Sequence, residues 1–413
     1  MKVLFAVLLV VVLYSGSVPL FIVLSTFITL WALARIWLRL AAAGLRVERY
    51  IDRRLFFGER ATVRLEVRSQ SALPLPWVLL REHQPLGLAS PSVTSHALSL
   101  SGRQTATICY ELTGSQRGYH QVGPLQISAG DVFGLARVDM ELVRRDSLIV
   151  YPRLLQAHAL ELPMLALYGD LRSRRRLVTD PARLHAVREY VPGDALHDIH
   201  WRATASTGSL QVKQYQPSTA AQTLVFLDLQ RDSYPRSLGQ AAVEYAISLA
   251  ATIASRLLDQ RQQVGLATTG QVCLPALQDD VVCAEQHAVD GVPHAAWRRV
   301  PEPLAPARGR GQLLQMLDVL ACLELNPDAY ALSALVARHA LSLPWGSTVV
   351  IISALVPEDL FLTLHRLREA GLPALVLCVR RDPDQAALEA RARALGARIL
   401  FLPHDQYREA MPS

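Results

Sequence analysis

The stretch REYVPGDALHDIHWRATASTGSLQVK (residues 188–213) lies shortly before QTLVFLDLQ (residues 222–230), and the two together indicate the fold of the second half. The first gathers charged and aromatic side chains around one turn signal, Pro-Gly-Asp at residues 192–194. The second is an apolar run, typical of a buried strand, that ends in an acid. A polar cluster so close to a buried strand indicates either a binding site or a salt-bridged corner.

From residue 222 onward, strand-like and helical patterns alternate along the chain. Residues 347–355 and 374–380 are short runs rich in Val, Ile and Leu, typical of strands. Residues 357–370 have Pro at their start and Gly just after their end, as a capped helix does. The alternation predicts an α/β domain over residues 222–405, with a mostly parallel sheet and helices on both faces.

Two side chains are expected at the ligand-binding edge of that sheet. In parallel sheets, ligands lie beyond the carboxyl ends of the strands. Asp228 and Ser353 each come at the end of a predicted strand. Thr269-Gly270, between two further strand-like runs, favours a hairpin at that point.

Composition narrows the function classes. The chain has 413 residues, enough for two or three domains, and 51% of them are apolar. Its net charge of +6 is compatible with an anionic membrane surface. The sequence has no zinc-ligand spacing and no recognition-helix pattern, so we expect no nucleic-acid partner. Five scattered cysteines without a CxxC pair indicate a reducing compartment and no disulfide framework.

The N-terminus predicts membrane insertion. Residues 3–13 are uninterrupted apolar sequence, and a second apolar run covers residues 20–34 and continues weakly to about residue 45. The Ser-Gly-Ser-Val-Pro segment between them favours a two-span helical hairpin over residues 1–45; one long helix kinked at Pro19 is the alternative. Basic residues flank both outer ends, so the positive-inside rule predicts an inner-membrane, multi-pass protein with cytoplasmic soluble domains.

Residues 46–155 read as an antiparallel β-sandwich. Residues 61–67 alternate strictly between polar and apolar side chains, as a half-buried strand does. The segment 117–138 holds four glycines at turn-like positions. Asp131 with Phe133 is interpreted as a turn whose ring plugs the core, in preference to a ligand loop.

The polar cluster lies in a predicted linker, residues 156–221. We expect Arg188 and Arg202 to pair with nearby carboxylates (Glu189, Asp194 or Asp198), and Trp201 to anchor the segment against the sheet. Such a cluster clamps domains together or presents a rigid surface to a partner, because Arg and Trp are enriched in interface hot spots. The candidate interaction residues are Arg188, Tyr190, Pro192, Gly193, Asp194, His200, Trp201, Arg202 and Lys213.

A hydrolase is the catalytic alternative. His200 would be the base, oriented by Asp194 or Asp198, with Ser206 or Ser209 as the nucleophile. The sequence contains no Gly-x-Ser-x-Gly, HExxH or phosphate-binding glycine loop to support it. We therefore expect no enzymatic activity.

The ordered residue types of this region resemble a known bacterial family, "domain of unknown function 58". Three segments carry the signature: Arg-Glu-Tyr-x-Pro-Gly-Asp (188–194), Ile-His-Trp-Arg-Ala (199–203) and Gly-x-Leu-x-Val-Lys (208–213). Upstream, Arg-Gly-Tyr at residues 117–119 and Tyr151-Pro152 are also similar. The resemblance implies a membrane anchor, a von Willebrand factor A-like domain and association with a MoxR-type AAA+ ATPase.

That implied fold often carries a metal-ion-dependent adhesion site with Mg²⁺ held by hard oxygen ligands. Asp228 matches the first ligand of the site, but Gln230 and Asp232 stand where two serines are usual, and Ala354 replaces an Asp. A magnesium site at Asp228 would therefore be degenerate. The alternative is that Asp228 caps the next helix or hydrogen-bonds its own loop.

Three functional hypotheses follow. The first is a non-enzymatic scaffold or adaptor in the inner membrane, without a cofactor, that works with a MoxR-type ATPase on a client protein of unknown identity. The second is a magnesium-dependent adhesion protein using Asp228. The third is a hydrolase using His200.

Overall fold

Two units divide the chain, Met1–Tyr151 and Pro152–Ser413. The finer domain limits inferred from the sequence stay predictions. The computed structural model describes residues 18–83, 85, 87–89, 95–132, 134, 136–142, 145–155, 179–192, 194–217, 222–235, 239–274 and 297–402.

An apolar helix, α1 (Val18–Ala43), begins the described part of the first unit and confirms the second predicted apolar run as helical. Its segment Phe21–Ala43 is long and apolar enough to cross a membrane and is mostly exposed. A second helix (Gly239–Asp259) meets the same criteria of length and composition, but it is largely buried and forms part of a core. The first predicted apolar run, residues 3–13, lies outside the described residues, so the two-span hairpin stays a prediction.

The described residues of the first unit form three sheets, in strand orders β1-β3-β7-β5, β10-β9-β4-β6 and β2-β11-β8. The strands are β1 (Leu45–Tyr50), β2 (Arg54–Phe56), β3 (Arg60–Ser69), β4 (Leu75–Glu82), β5 (Leu88–Ala89), β6 (Ser95–Leu100), β7 (Thr105–Gly114), β8 (Gly118–Val122), β9 (Leu125–Gly130), β10 (Arg137–Leu142) and β11 (Asp146–Tyr151).

Both four-stranded sheets contribute to one hydrophobic core. In β3, Val63, Leu65 and Val67 are buried and alternate with more exposed residues, which confirms the strand pattern predicted there. Leu80 of β4 and Ile127 of β9 are buried in the same cluster. Burying a side chain of this size contributes about 1.5–3 kcal/mol each, so the core is a main source of stability in this unit.

The last turns of α1 pack into that core. Leu38 and Ala41 are fully buried in the same hydrophobic cluster as the sheets. The Trp37 indole Nε1 donates a hydrogen bond to the carbonyl oxygen of Pro74, at 3.2 Å. The helix is therefore joined to the β-rich unit by packing as well as by the chain.

The second unit is a mixed α/β structure around a six-stranded sheet in the order β18-β15-β14-β20-β21-β22, parallel except for β18. The strands of this unit are β12 (Thr179–Glu189), β13 (Gln211–Pro217), β14 (Gln222–Leu227), β15 (Gln263–Thr268), β16 (Gln271–Leu274), β17 (Trp297–Arg299), β18 (Leu304–Ala307), β19 (Leu323–Glu324), β20 (Thr348–Ser353), β21 (Ala374–Cys378) and β22 (Arg398–Phe401). The helices are α2 (Trp201–Thr207), α3 (Gly239–Asp259), α4 (Arg310–Ala321), α5 (Leu332–Ala340), α6 (Glu358–Glu369) and α7 (Gln385–Ala394).

The predicted hairpin at Thr269-Gly270 is wrong. β15 pairs with β14 and β18, whereas β16 pairs with β17 and β19 in a separate small sheet. The Thr269 hydroxyl accepts a hydrogen bond from the backbone N–H of Leu229 at 2.7 Å. This bond ties residue 269 to the loop after β14, so the chain leaves the large sheet there instead of reversing within it.

Candidate functional site

The signature residues lie on a β-hairpin that sequence reasoning did not predict. β12 and β13 pair with each other in antiparallel register. Among the described residues, neither strand pairs with a further strand. A one-turn 3-10 helix (Leu196–Asp198) and α2 fill the long connection between them. We call residues 179–217 the arm. An isolated two-stranded hairpin is only marginally stable in water, so the arm depends on its connection for shape.

A bidentate ion pair holds the turn at the start of this connection. The Arg188 guanidinium donates to both carboxylate oxygens of Asp194, at 2.7 and 2.6 Å, which confirms the predicted pairing. The backbone N–H of Val191 donates to the same carboxylate at 3.0 Å. These hydrogen bonds lower the pKa of Asp194, and the bond from Arg188 has the larger effect. Gly193, in the middle of the turn, lies outside the described residues.

His200 caps the short helix α2. Its Nδ1 accepts a hydrogen bond from the backbone N–H of Ala203 at 3.0 Å, the usual role of an N-cap side chain. Its own backbone N–H donates to the carbonyl oxygen of Gln211 at 2.7 Å, which ties the start of the helix to β13. In this arrangement His200 has a structural role in the connection.

The polar groups proposed for a hydrolase are arranged differently from a catalytic triad. In a catalytic triad, the histidine Nδ1 carries a proton and donates it in a hydrogen bond to the orienting carboxylate. Here Nδ1 of His200 instead accepts the cap bond from the backbone N–H of Ala203. The Ser206 hydroxyl donates to the carbonyl oxygen of Ala203 at 2.9 Å. The Ser209 hydroxyl accepts from the Gln211 side-chain amide at 3.0 Å. The structure therefore does not bring these serines and His200 together as a nucleophile and its base.

Trp201 does not anchor the segment against the sheet, and that prediction is wrong. Its side chain, at the first position of α2, is 68% exposed, whereas Ile199 and Val212, which pair in an antiparallel bridge, are buried. Leu196 is 70% exposed and Val191 57%. The arm thus presents large apolar side chains to its surroundings.

The other signature residues differ in their exposure. Tyr190 is half-buried, and its backbone N–H donates to the carbonyl oxygen of Leu210 at 2.8 Å. Pro192 and Arg202 are exposed, and Lys213 is half-buried on β13. Exposed apolar and charged side chains therefore occur together along the arm.

A second polar cluster lies at the carboxyl ends of β14, β15 and β20. The buried Asp228 carboxylate accepts hydrogen bonds from the hydroxyls of Ser353 at 2.7 Å and Thr269 at 3.0 Å, and from the backbone N–H of Gln230 at 3.1 Å. The predicted position of Asp228 and Ser353 at the ends of their strands is confirmed, as is the alternative in which Asp228 hydrogen-bonds its own loop. Thr269 was missed, although a polar Thr-Thr pair directly after an apolar strand could have indicated it.

A buried tyrosine lies close to this cluster. The hydroxyl of Tyr234 is buried without a hydrogen-bond partner among the described residues. Burial, and then the charge of Asp228, raise the pKa of Tyr234 well above its ordinary value. Burial also raises the pKa of the nearby Cys378 thiol to about 11, so this thiol is neutral at physiological pH.

Similarity to solved structures is weak. A crystal structure of Escherichia coli alpha-2-macroglobulin, from domain MG7 to the C-terminus, is 15% identical, covering 27% of this chain and 17% of that one, with a TM-score of 0.24. The CARDB domain of the PF1109 protein from Pyrococcus furiosus is 14% identical, with a TM-score of 0.19. That match covers 26% of this chain and 91% of the CARDB domain. At these TM-scores, neither similarity indicates a fold or a function for this protein.

Similarity to sequences points to one family. The chain is 24% identical over 239 residues to the uncharacterized protein YeaD of Bacillus subtilis (strain 168). That alignment covers 55% of this chain and 56% of the relative, so it spans about half of each. Residues 186–289 match the model of the family described as "Protein of unknown function DUF58". This segment, which holds most of the arm, belongs to the DUF58 family, as the resemblance predicted.

Proposed function

We propose that this protein is a non-enzymatic, membrane-anchored adaptor whose arm docks a partner protein. The observation that carries the proposal is the exposure of Trp201, at 68%, on an element with defined hydrogen bonds. Tryptophan in the centre of an interface is among the residues that contribute most to binding. Large apolar groups exposed together, with polar groups around them, are typical of protein-interaction sites.

The construction of the arm supports a docking role. The ion pair of Arg188 with Asp194 and the cap from His200 fix the connection before any partner binds. A surface ordered in advance loses less conformational entropy on association, which favours affinity. The same polar groups were the strongest candidates for catalysis, and their involvement in the turn and the cap favours the non-enzymatic interpretation.

The partner we propose is a MoxR-type AAA+ ATPase, with an unidentified protein as the client of the complex. This rests on the family resemblance together with the exposed arm. We also propose that the first unit is a β-sandwich on a two-span hairpin in the inner membrane, with both units in the cytoplasm. The strand order of the second unit, with its antiparallel β18 at one edge, supports a von Willebrand factor A-like fold.

The test compares two exposed tryptophans. Trp201→Ala removes the centre of the proposed surface, whereas Trp345→Ala removes a side chain of similar exposure, at 51%, elsewhere in the second unit. After cross-linking in native membranes, the full chain is purified and its partners are quantified by mass spectrometry. A hot-spot loss of at least about 2 kcal/mol predicts roughly a 30-fold lower yield of the ATPase with Trp201→Ala only. Equal yields from the two variants would contradict the proposal.

A magnesium-dependent adhesion site is the second candidate. It is favoured by the convergence of Asp228, Ser353 and Thr269, whose oxygens are hard ligands of the kind that Mg²⁺ prefers. They also lie where the strand order reverses direction, the usual ligand position in such sheets. Titration calorimetry with Mg²⁺ on the full chain and on Asp228→Asn separates the two functions. Heat of binding in the wild type that disappears in a folded variant would favour adhesion over the adaptor.

A further inference from the structure

We propose that the end of the β-rich unit that receives α1 is a binding surface for anionic lipid headgroups, with Arg39, Arg46, Arg68 and Arg103 as its cations. This rests on the proposed membrane anchoring and deepens it, because it names a lipid class and the residues that would contact it.

Several segments meet at this end of the unit. The backbone N–H of Gln70 donates to the carbonyl oxygen of Gly44, just after α1, at 2.8 Å. The N–H of Arg103 donates to the carbonyl oxygen of Ser71 at 2.9 Å. Gly102 lies so close to the preceding loop that a Cβ would be 2.1 Å from the carbonyl oxygen of Ala72. The turns at residues 70–74 and 101–104 are therefore held beside the end of the helix.

The aromatic residues of α1 locate the membrane boundary. Trp37 is 41% exposed and bonds Pro74 through its indole N–H, and the Arg35 guanidinium lies 5.4 Å from the centroid of the Trp31 ring. Tryptophan is enriched at the headgroup level of membranes. If α1 spans the bilayer, the contact of Trp37 with Pro74 places the two turns at the same depth as the headgroups.

Two of the cations at this end repel each other within the protein. Arg46 and Arg68 are directly opposite on β1 and β3, and both are exposed. Like charges in that position destabilise a sheet. Arg39 and Arg103 are exposed as well, and among the described residues no ion pair involves any of the four. An external anion at this end would relieve the repulsion.

The sign of charge changes along the same face. The next outward row, farther from α1, is Glu48 opposite Glu66. The basic row near the helix would be attracted to a negatively charged membrane surface. The acidic row lies farther away, where the membrane potential is weaker because it falls off within about 8–10 Å. This order favours a membrane over a nucleic acid, because a nucleic acid would not need the cations to surround the base of an apolar helix.

The test is hydrogen exchange on the full chain in nanodiscs, comparing neutral phosphatidylcholine with the same lipid mixed with phosphatidylglycerol. In the wild type, we expect residues 101–104 to exchange more slowly in the anionic discs, with about a fivefold change in local affinity for each arginine in contact. The turn at residues 114–117, at the other end of β7, provides the internal reference and should not change. Raising the salt to about 1 M, where the Debye length is about 3 Å, should remove the difference.

Charge-matched variants complete the test. Arg46→Gln/Arg68→Gln/Arg103→Gln should lose the lipid-dependent protection, whereas Arg53→Gln/Arg60→Gln/Arg64→Gln, with the same change of charge, should keep it. Equal protection in both lipids, equal losses in both variants, or the same protection from inorganic phosphate or an oligonucleotide in neutral discs would overturn the proposal. If alkaline carbonate extracts the chain from native membranes, the anchoring itself fails; if the chain is retained but no lipid-dependent protection is seen, only the headgroup surface fails.

Discussion

The central sheet of the second unit and the arm use aromatic and charged side chains in opposite ways. In the sheet, Phe226 is fully buried and the carboxylate of Asp228 is hydrogen bonded inside the protein. In the arm, Trp201 is 68% exposed, and the pair of Arg188 with Asp194 lies near the surface. Groups in the sheet contribute their binding energy to folding. The exposed Trp201 in the arm contributes little to folding.

The largest expected effect comes from an aromatic-to-alanine change in the sheet. Phe226→Ala leaves a cavity in a packed core and should lower the free energy of unfolding by about 3–5 kcal/mol. The same kind of change at Trp201 should alter it by no more than about 0.5 kcal/mol, because the side chain is exposed. Chemical denaturation of the full chain in detergent measures both. Similar losses at the two positions would break the comparison.

The next effect tests the buried carboxylate. Ser353→Ala removes the hydroxyl that bonds Asp228 at 2.7 Å and leaves a buried acceptor with one donor fewer. An unsatisfied buried group costs about 1–3 kcal/mol, which should appear as a lower free energy of unfolding. Ser342→Ala, at an exposed serine, is the matched control and should be nearly neutral. If Ser353→Ala left the free energy of unfolding unchanged, the bond would contribute little to the stability of the sheet.

A smaller effect is expected within the arm. His200→Ala removes the cap on the backbone N–H of Ala203, which should destabilise α2 by about 1 kcal/mol. Hydrogen exchange at Ala203 and Thr204 should become faster, and exchange in β14 should stay unchanged. His200→Asn restores a side-chain acceptor and should recover the wild-type rates in α2. Faster exchange in β14 would mean that the arm and the sheet are energetically coupled.

The smallest effect concerns pH. The pKa of Asp194 is lowered, mainly by the hydrogen bonds from Arg188, so the folded turn favours the ionised carboxylate. Its contribution is therefore present above the unfolded-state pKa of about 4 and is lost as the pH falls through the lower folded value. NMR titration of the Asp194 carboxyl group should show this, and Arg188→Gln should return the pKa toward its ordinary value. If the pKa of Asp194 were the same in the wild type and in Arg188→Gln, the ion pair would be contradicted.

Sequence patterns predicted the sheet better than the arm, for a physical reason. Helix periodicity and the glycine after α6 report local backbone preferences, so the helix at Glu358–Glu369 could be located from them. The position of Asp228 and Ser353 at the same edge of the sheet could also be predicted, because carboxyl ends of parallel strands share one edge. Arg188 and Asp194 are six residues apart around one turn signal, which made their pairing predictable as well.

The errors concern contacts that no local pattern encodes. Trp201 was expected to anchor the segment against the sheet, but its exposure depends on which side of a seven-residue helix faces the hairpin. The route of the chain after Thr269 depends on its bond to Leu229, 40 residues earlier. Arg49 forms a buried ion pair with Glu82 and a 2.8 Å ion pair with Asp146, and no pairing was predicted for it.

Site-specific photo-cross-linking tests the central claim most directly. A benzophenone amino acid replaces Trp201 in the full chain, and the same probe at Trp345 is the control. After irradiation of native membranes, we predict a discrete adduct with an AAA+ ATPase from position 201 that is absent from position 345. The same adducts from both positions, or none with a protein from position 201, would contradict the proposal that the arm is a docking surface.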